Sequence, residues 1–176
     1  VWNVMNETEK NTPCQRRYLR WLVEAALIVA VLAILQAYQA RGVAKGLAPE
    51  FEARLLEGQP VSLQAYRGQP LLLHFWASWC PICRYEQGTI DSLARDHAVL
   101  TVAMEDMSVS EMQAWLAEQG VAYPVALDAT GELANLYGVR GVPTSVVIDA
   151  SGEIRFVEVG YTTEIGLRAR LWWAGR

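Results

Sequence analysis

Residues 71–83 read LLLHFWASWCPIC, and the fold turns on how that stretch divides. Leu71 to Trp76 is a nearly continuous apolar run of strand length, the pattern of a central strand covered on both faces. Three residues later Cys80-Pro81-Ile82-Cys83 opens a helical pattern that continues to about His97, with Ile90, Leu93 and Ala94 on one face. A strand that turns so quickly into a helix puts Cys80 at the first helical turn. Unpaired backbone N–H groups and the positive end of the helix dipole converge there. They stabilise a thiolate, which lowers the pKa of Cys80 and makes it both a nucleophile and a good leaving group at neutral pH. Cys83, one turn deeper, is expected to be less exposed and to resolve a mixed disulfide on Cys80. Cysteines at i and i+3 lie about 5 Å apart in Cα, within disulfide reach. Pro81 suits this turn because the N–H it lacks would have no partner.

Three other uses of the pair compete with redox exchange. A purely structural bridge over three residues closes almost no loop and constrains the unfolded chain little. A zinc site needs a second half, and the remaining candidates, Cys14, His74 and His97, do not supply it. Copper(I) held by two thiolates is chemically sound, and a copper(I)-binding module stays open as the alternative.

Around this centre the sequence alternates strands and helices. Turn signals at Glu57–Pro60 and Arg67–Pro70 bracket a short strand through Val61, Leu63 and Ala65. Residues 99–103 (VLTVA) form the next strand. Ser108 and Glu111 make a capping box that opens a helix with Met112, Trp115, Leu116 and Gln119 on one side, ended by Gly120. YPVALD is a short extended piece and GELANLYG a short helix. SVVID and IRFVEV form a hairpin across Asp149–Gly152, and a last helix starts near Thr163. The order implies an α/β fold with a mixed central sheet flanked by helices.

The N-terminal part is of another kind. Residues 21–40 begin WLVEAALIVAVLAILQA and carry a single charge, Glu24, enough apolar length to cross about 30 Å of hydrocarbon. The run exceeds a signal-peptide core, and no small-x-small cleavage site follows, since Tyr38 precedes Ala40 by two. Arg16, Arg17 and Arg20 before the span outnumber Arg41 and Lys45 after it. The positive-inside rule then keeps residues 1–20 in the cytoplasm and exports the rest. The expected organisation is a cytoplasmic segment 1–20, an anchor 21–40, a linker 41–47 and one domain over 48–176. Cys14 falls on the reducing side, where a lone thiol has no evident task. Met5, close behind Val1, leaves the start residue open. A net charge of -4 with no basic stripe argues against nucleic acid as a partner.

FWASWCPIC (75–83) resembles the active-site segment of thioredoxin-like proteins, and GVPT (141–144), sixty residues after Cys83, is similar to their second signature. The resemblance implies a thioredoxin fold in which Pro143 follows a cis peptide bond and faces the dithiol. Val142 would then offer its backbone to a substrate chain, and Pro143 would keep a competing metal off the thiols. Trp76 and Trp79 would flank the site and shape its surface. Residues 48–176 as a whole resemble the exported, membrane-tethered TlpA/ResA-like branch, with an N-terminal hairpin and an acid, here Glu86, one turn beyond the second cysteine. That acid would adjust the buried thiol or carry its proton.

The chain departs from the pattern at three places. His74 stands where cytoplasmic thioredoxins have a buried Asp, and either passes protons to Cys83 or satisfies a core hydrogen bond. Thr144 replaces the Glu of the cytochrome c maturation reductases. Pro81-Ile82 is similar instead to copper-tolerance members of the suppressor of copper sensitivity D type. The resemblance implies thiol-disulfide exchange with protein partners in the periplasm, reduction favoured over oxidation, and a membrane redox protein that regenerates the pair. No metal or organic cofactor is required.

Overall fold

The computed structural model describes the backbone of residues 13–176 and the side chains of 18–38 and 40–176. Expectations for residues 1–12, and for the side chains of Cys14, Arg16 and Arg17, lie outside the described residues. The chain divides between Tyr38 and Gln39 into two units.

Among the described residues the first unit is helical: α1 (Pro13–Gln39) already covers residues before the expected boundary at residue 21. Tyr18–Gly42 form a stretch of 25 residues with mean hydropathy 2.1, long and apolar enough to cross a membrane. Leu22, Leu27, Ile28, Leu32 and Leu35 are all exposed. A helix apolar all round is of the kind that a protein core or a membrane surrounds.

The second unit is built on a six-stranded mixed sheet. Its strands are β1 (Gly46–Leu47), β4 (Leu71–Trp76), β5 (Ala98–Ala103), β6 (Val125–Leu127), β7 (Thr144–Ile148) and β8 (Glu153–Val159), in the order β1-β8-β7-β4-β5-β6. β4, β5 and β6 run parallel, while β7, β8 and β1 add antiparallel pairs. A separate hairpin joins β2 (Glu52–Arg54) to β3 (Pro60–Ser62).

Side chains alternate across the sheet as the pleat requires. Leu72, Trp76, Val99, Ala103 and Val147 face a core closed by α2 (Pro81–Asp96), α3 (Val109–Gln119) and α5 (Glu164–Ala174). Leu71, Leu73, Phe75, Leu100, Val102, Val146 and Ile148 face a second core under the hairpin and α4 (Glu132–Tyr137). All six residues of β4 are buried, each apolar one contributing about 1.5–3 kcal/mol. The capping box of α3 forms as read, and Gly120 ends that helix in the left-handed conformation.

Two expectations need correction. The strand expected through Val61, Leu63 and Ala65 stops at Ser62, and Leu63–Tyr66 is a 3-10 turn with Leu63 buried. The expected linker 41–47 is part of the domain. Ala40–Gly42 is a 3-10 turn, Val43 is buried, the Ala44 N–H donates to the Tyr137 carbonyl at 2.9 Å, and Gly46-Leu47 is β1. The turn is possible because Gly138, at φ +69°, presents no Cβ to the Gly42 carbonyl that touches it.

Candidate active site

The strand-to-helix junction falls where the sequence puts it. β4 ends at Trp76, Ala77–Trp79 form a tight loop, and Cys80 is the N-cap of α2 in extended conformation, with Pro81 in the first turn. The Cys83 N–H donates to the Cys80 sulfur at 3.2 Å, so the sulfur takes the place of a capping oxygen. Cys80 and Cys83 are joined as a disulfide, with Cα atoms 5.3 Å apart. They are 5% and 3% exposed, so the first cysteine is scarcely more open than the second, contrary to expectation. Cys80 is buried in the disulfide, and the loop before β7 lies against its sulfur.

That loop carries Gly141, Val142 and Pro143, with a cis bond between the last two. The Val142 carbonyl oxygen lies 3.8 Å from the Cys80 sulfur, and the Val142 N–H has no partner among the described residues. Thr144 Oγ1 donates to the Gly141 carbonyl at 2.8 Å, and the Gly160 N–H donates to the Pro143 carbonyl at 2.8 Å. Both ends of the loop are therefore held while its middle faces the sulfur.

Of the two tryptophans expected at the rim, only Trp79 is there, 66% exposed. Trp76 is buried against Trp115 and Tyr123, with ring centroids 5.2 and 5.9 Å away, and shapes the core rather than the surface. Ile82, Tyr85 and Tyr161 complete the exposed rim, the two tyrosines in ring contact at 5.5 Å.

Glu86 is buried on α2, one turn beyond Cys83. Its Oε1 accepts the Thr162 N–H at 3.0 Å, and its Oε2 is buried with no partner. Burial pushes the carboxyl up to about 7, and the Thr162 hydrogen bond opposes that rise. A carboxyl raised toward neutrality, one helical turn from Cys83, can give or take a proton at ordinary pH. His74 is buried on the face of β4 that α2 covers, directly across from Ser145 on β7. Its Nδ1 and the Ser145 hydroxyl are 2.9 Å apart, and burial holds the imidazole down to about 3. The ring is neutral throughout the ordinary pH range. No hydrogen bond among the described residues joins His74 or Glu86 to either sulfur.

Sequence reasoning missed Glu105. Its carboxylate accepts the Ser78 N–H at 2.8 Å and the Ser78 hydroxyl at 2.6 Å, fixing the loop that delivers Cys80. The parallel register was the available signal. Trp76 pairs with Ala103, so residues two beyond each strand end, Ser78 and Glu105, arrive side by side. Among the described residues no group of three or more His, Cys, Asp or Glu draws together, so a soft ion here would rest on the two sulfurs alone.

Residues 45–157, from β1 into β8, match the model of the AhpC/TSA family. The chain belongs to that thioredoxin-like family. It is 31% identical over 165 residues to the thioredoxin-like protein YneN of Bacillus subtilis, covering 86% of this chain and 96% of that one. It is 35% identical over 116 residues to the thiol:disulfide interchange protein DsbE of Vibrio cholerae, covering 64% and 62%. Among solved structures, a DsbE-type thiol:disulfide interchange protein from Chlorobium tepidum superimposes with a TM-score of 0.66 at 31% identity, over 75% of this chain and 98% of that one. The family member described here therefore has the thioredoxin fold and is a thiol-disulfide oxidoreductase, with protein thiols and disulfides as its substrates.

Proposed function

We propose that the chain is a single-pass inner-membrane protein whose N-terminus is cytoplasmic and whose domain works in the periplasm as a reductase of protein disulfides. In the reducing turn the Cys80 thiolate attacks a partner disulfide, and one partner sulfur leaves. Cys83 then attacks Cys80 and the second partner sulfur leaves, so two electrons and two protons pass to the partner. Val142 and Pro143 lay the partner chain across Cys80, Trp79 flanks it, and Glu86 takes the proton from Cys83 as it becomes the attacking thiolate. His74, neutral and bonded to Ser145, holds the sheet beneath. A membrane redox protein returns the electrons.

The observation that carries the exchange chemistry is the Cys80–Cys83 pair at the N-cap of α2, with the Cys83 N–H donated to the Cys80 sulfur. Its direction follows the thiolate: weak stabilisation leaves the reduced form less favoured and the potential low, and strong stabilisation does the reverse. The anchoring half rests on the apolar 25-residue stretch Tyr18–Gly42 and on the arginine excess before it.

The test is the reduction potential of the full chain in detergent, by equilibration in dithiothreitol buffers with thiol trapping. A value near or below about -250 mV supports the reductase, and one above about -150 mV makes the protein an oxidant or isomerase. A pair that does not cycle but holds copper(I) tightly would instead establish the copper-binding alternative.

A further inference from the structure

The loop that delivers Cys80 is bonded to a carboxylate that arrives from beyond the end of β5. The Met104 N–H donates to the Trp76 carbonyl at 2.8 Å, which carries the β4–β5 pairing past β5 and sets Glu105 beside the loop. There Glu105 takes the Ser78 N–H at 2.8 Å on one oxygen and the Ser78 hydroxyl at 2.6 Å on the other. Two residues later the Cys80 N–H closes a turn on the Ala77 carbonyl at 3.2 Å. Ser78 and Glu105 are both half-buried, so water and salt screen the charge only in part.

Holding the loop does not require that charge. A serine hydroxyl donates or accepts, so a neutral glutamine could meet both Ser78 groups. What glutamate adds is a negative charge. Two residues span at most about 7 Å, so with the bond lengths included the carboxylate lies within about 14 Å of the Cys80 sulfur, and the turn brings it to about 10 Å. At that separation, with an effective dielectric of about 20, two like charges shift an equilibrium about tenfold, and salt screening lowers this to about threefold. The carboxylate also occupies both Ser78 donors, which are then not offered to the sulfur. Both effects work against a thiolate on Cys80 and oppose the helix N-terminus that favours one. The other ionisable groups around Cys80 are differently placed. Arg84, Tyr85, Asp106, Arg140 and Tyr161 are exposed, Glu86 is buried beyond Cys83, and His74 is neutral on β4. Among the described residues none of them is hydrogen-bonded to the loop.

We propose that Glu105 keeps the pair reducing: its charge, fixed by Ser78 against the entry to α2, disfavours the Cys80 thiolate and with it the dithiol state. The proposal rests on the reductase reading above and gives its direction a cause. Glu105 is a positioning residue, acting through Ser78 and through its field on the sulfur. When the Cys80–Cys83 bond is reduced, two electrons and two protons enter it, and Cys80 gives one proton back to water wherever its thiolate is favoured. A carboxylate that discourages that release makes the disulfide the relatively better state, which lowers the potential.

The experiment compares the full chain in detergent with Glu105→Gln, Glu105→Met and Ser78→Ala. Potentials are read by thiol trapping in dithiothreitol buffers between about pH 6 and pH 9, and the Cys80 thiolate by its ultraviolet absorbance in the reduced protein. Glu105→Gln keeps the bonds and removes the charge, Glu105→Met removes both, and Ser78→Ala keeps the charge and the backbone bond. Both neutral variants should hold the thiolate at a proton concentration three- to tenfold higher than wild type does. Near pH 9 their potentials should lie about 15–30 mV higher, at about 30 mV per factor of ten. The gap should close below the pH at which Cys80 is protonated in every variant, and Ser78→Ala should follow wild type throughout. Potentials equal to wild type near pH 9 in the neutral variants, whatever their stability, would reduce Glu105 to a clamp and overturn the proposal. A rise in Ser78→Ala as large as in Glu105→Gln would overturn it too, by placing the effect in the shape of the loop. Either neutral variant decides alone if the other does not fold. A wild-type potential above about -150 mV would sink the reductase reading, a separate result from any difference between the variants.

Discussion

At the scale of single residues, Glu86 and His74 are buried ionisable groups displaced in opposite senses, one up to about 7 and the other down to about 3. Between the ordinary glutamate value and about 7, the folded state holds a proton on Glu86 that the unfolded chain has released. Stability therefore falls as pH rises through that window. His74 does the reverse below about 6.5, where the unfolded chain binds a proton that the folded one refuses, so stability falls as pH drops. In mildly acidic solution the two slopes oppose each other. Glu86→Gln removes one of them. Denaturant unfolding of the oxidised protein should find the variant equal to wild type near pH 4 and more stable by up to about 3 kcal/mol above pH 7. A difference that stays constant with pH would mean that Glu86 titrates normally. The residue's place one turn after Cys83 was legible in the sequence. Its burial was not, because that depends on Thr162, 76 positions away, closing over it.

At the scale of elements, β4 and α2 were readable because their signals are local: an apolar run, a proline in the first turn and a helical stripe. The α3 capping box and the β7–β8 hairpin were readable for the same reason. What escaped depends on register between distant segments. Trp76 reads as a rim residue beside the cysteines until α3 and Tyr123 are packed over it. The Ser78–Glu105 clamp exists only once β4 and β5 lie in parallel with their ends level. This clamp ties the end of one strand to the loop feeding the active-site helix, so its removal should loosen that entry. Hydrogen bonds to a charged group contribute roughly 1.5–3 kcal/mol, less where water reaches them. Glu105→Ala should therefore cost about 2 kcal/mol in unfolding free energy, and Ser78→Ala, which keeps the backbone bond, about half that. Equal losses from both variants would place the whole effect in the hydroxyl.

At the scale of the molecule, the fold class and the reaction were legible from one thirteen-residue stretch, while the way residues 40–47 are built into the domain was not. Residues 41–47 (RGVAKGL) show no strand or helix pattern, and they become structural through the burial of Val43, the Ala44–Tyr137 hydrogen bond, the pairing of β1 with β8 and the contact of Gly42 with Gly138. Gly138→Ala tests that junction twice over, since the added methyl meets both a positive φ and the Gly42 carbonyl. The left-handed conformation alone costs about 1–2 kcal/mol. Thermal unfolding should show at least that loss, accompanied by faster proteolysis between residues 40 and 47. Loss of stability with unchanged proteolysis would mean that the junction tolerates the methyl and that only the α4 terminus suffers.

β1 has one further consequence for the same sheet. Although only two residues long, it occupies the outer side of β8 at Glu153 and Ile154. A strand stripped of such a cover offers free backbone donors and acceptors to any other extended chain, including another copy of itself. Trimming the protein at residue 48 would thus discard more than the apolar helix and would leave an adhesive border. A version that keeps that border covered begins at Gln39.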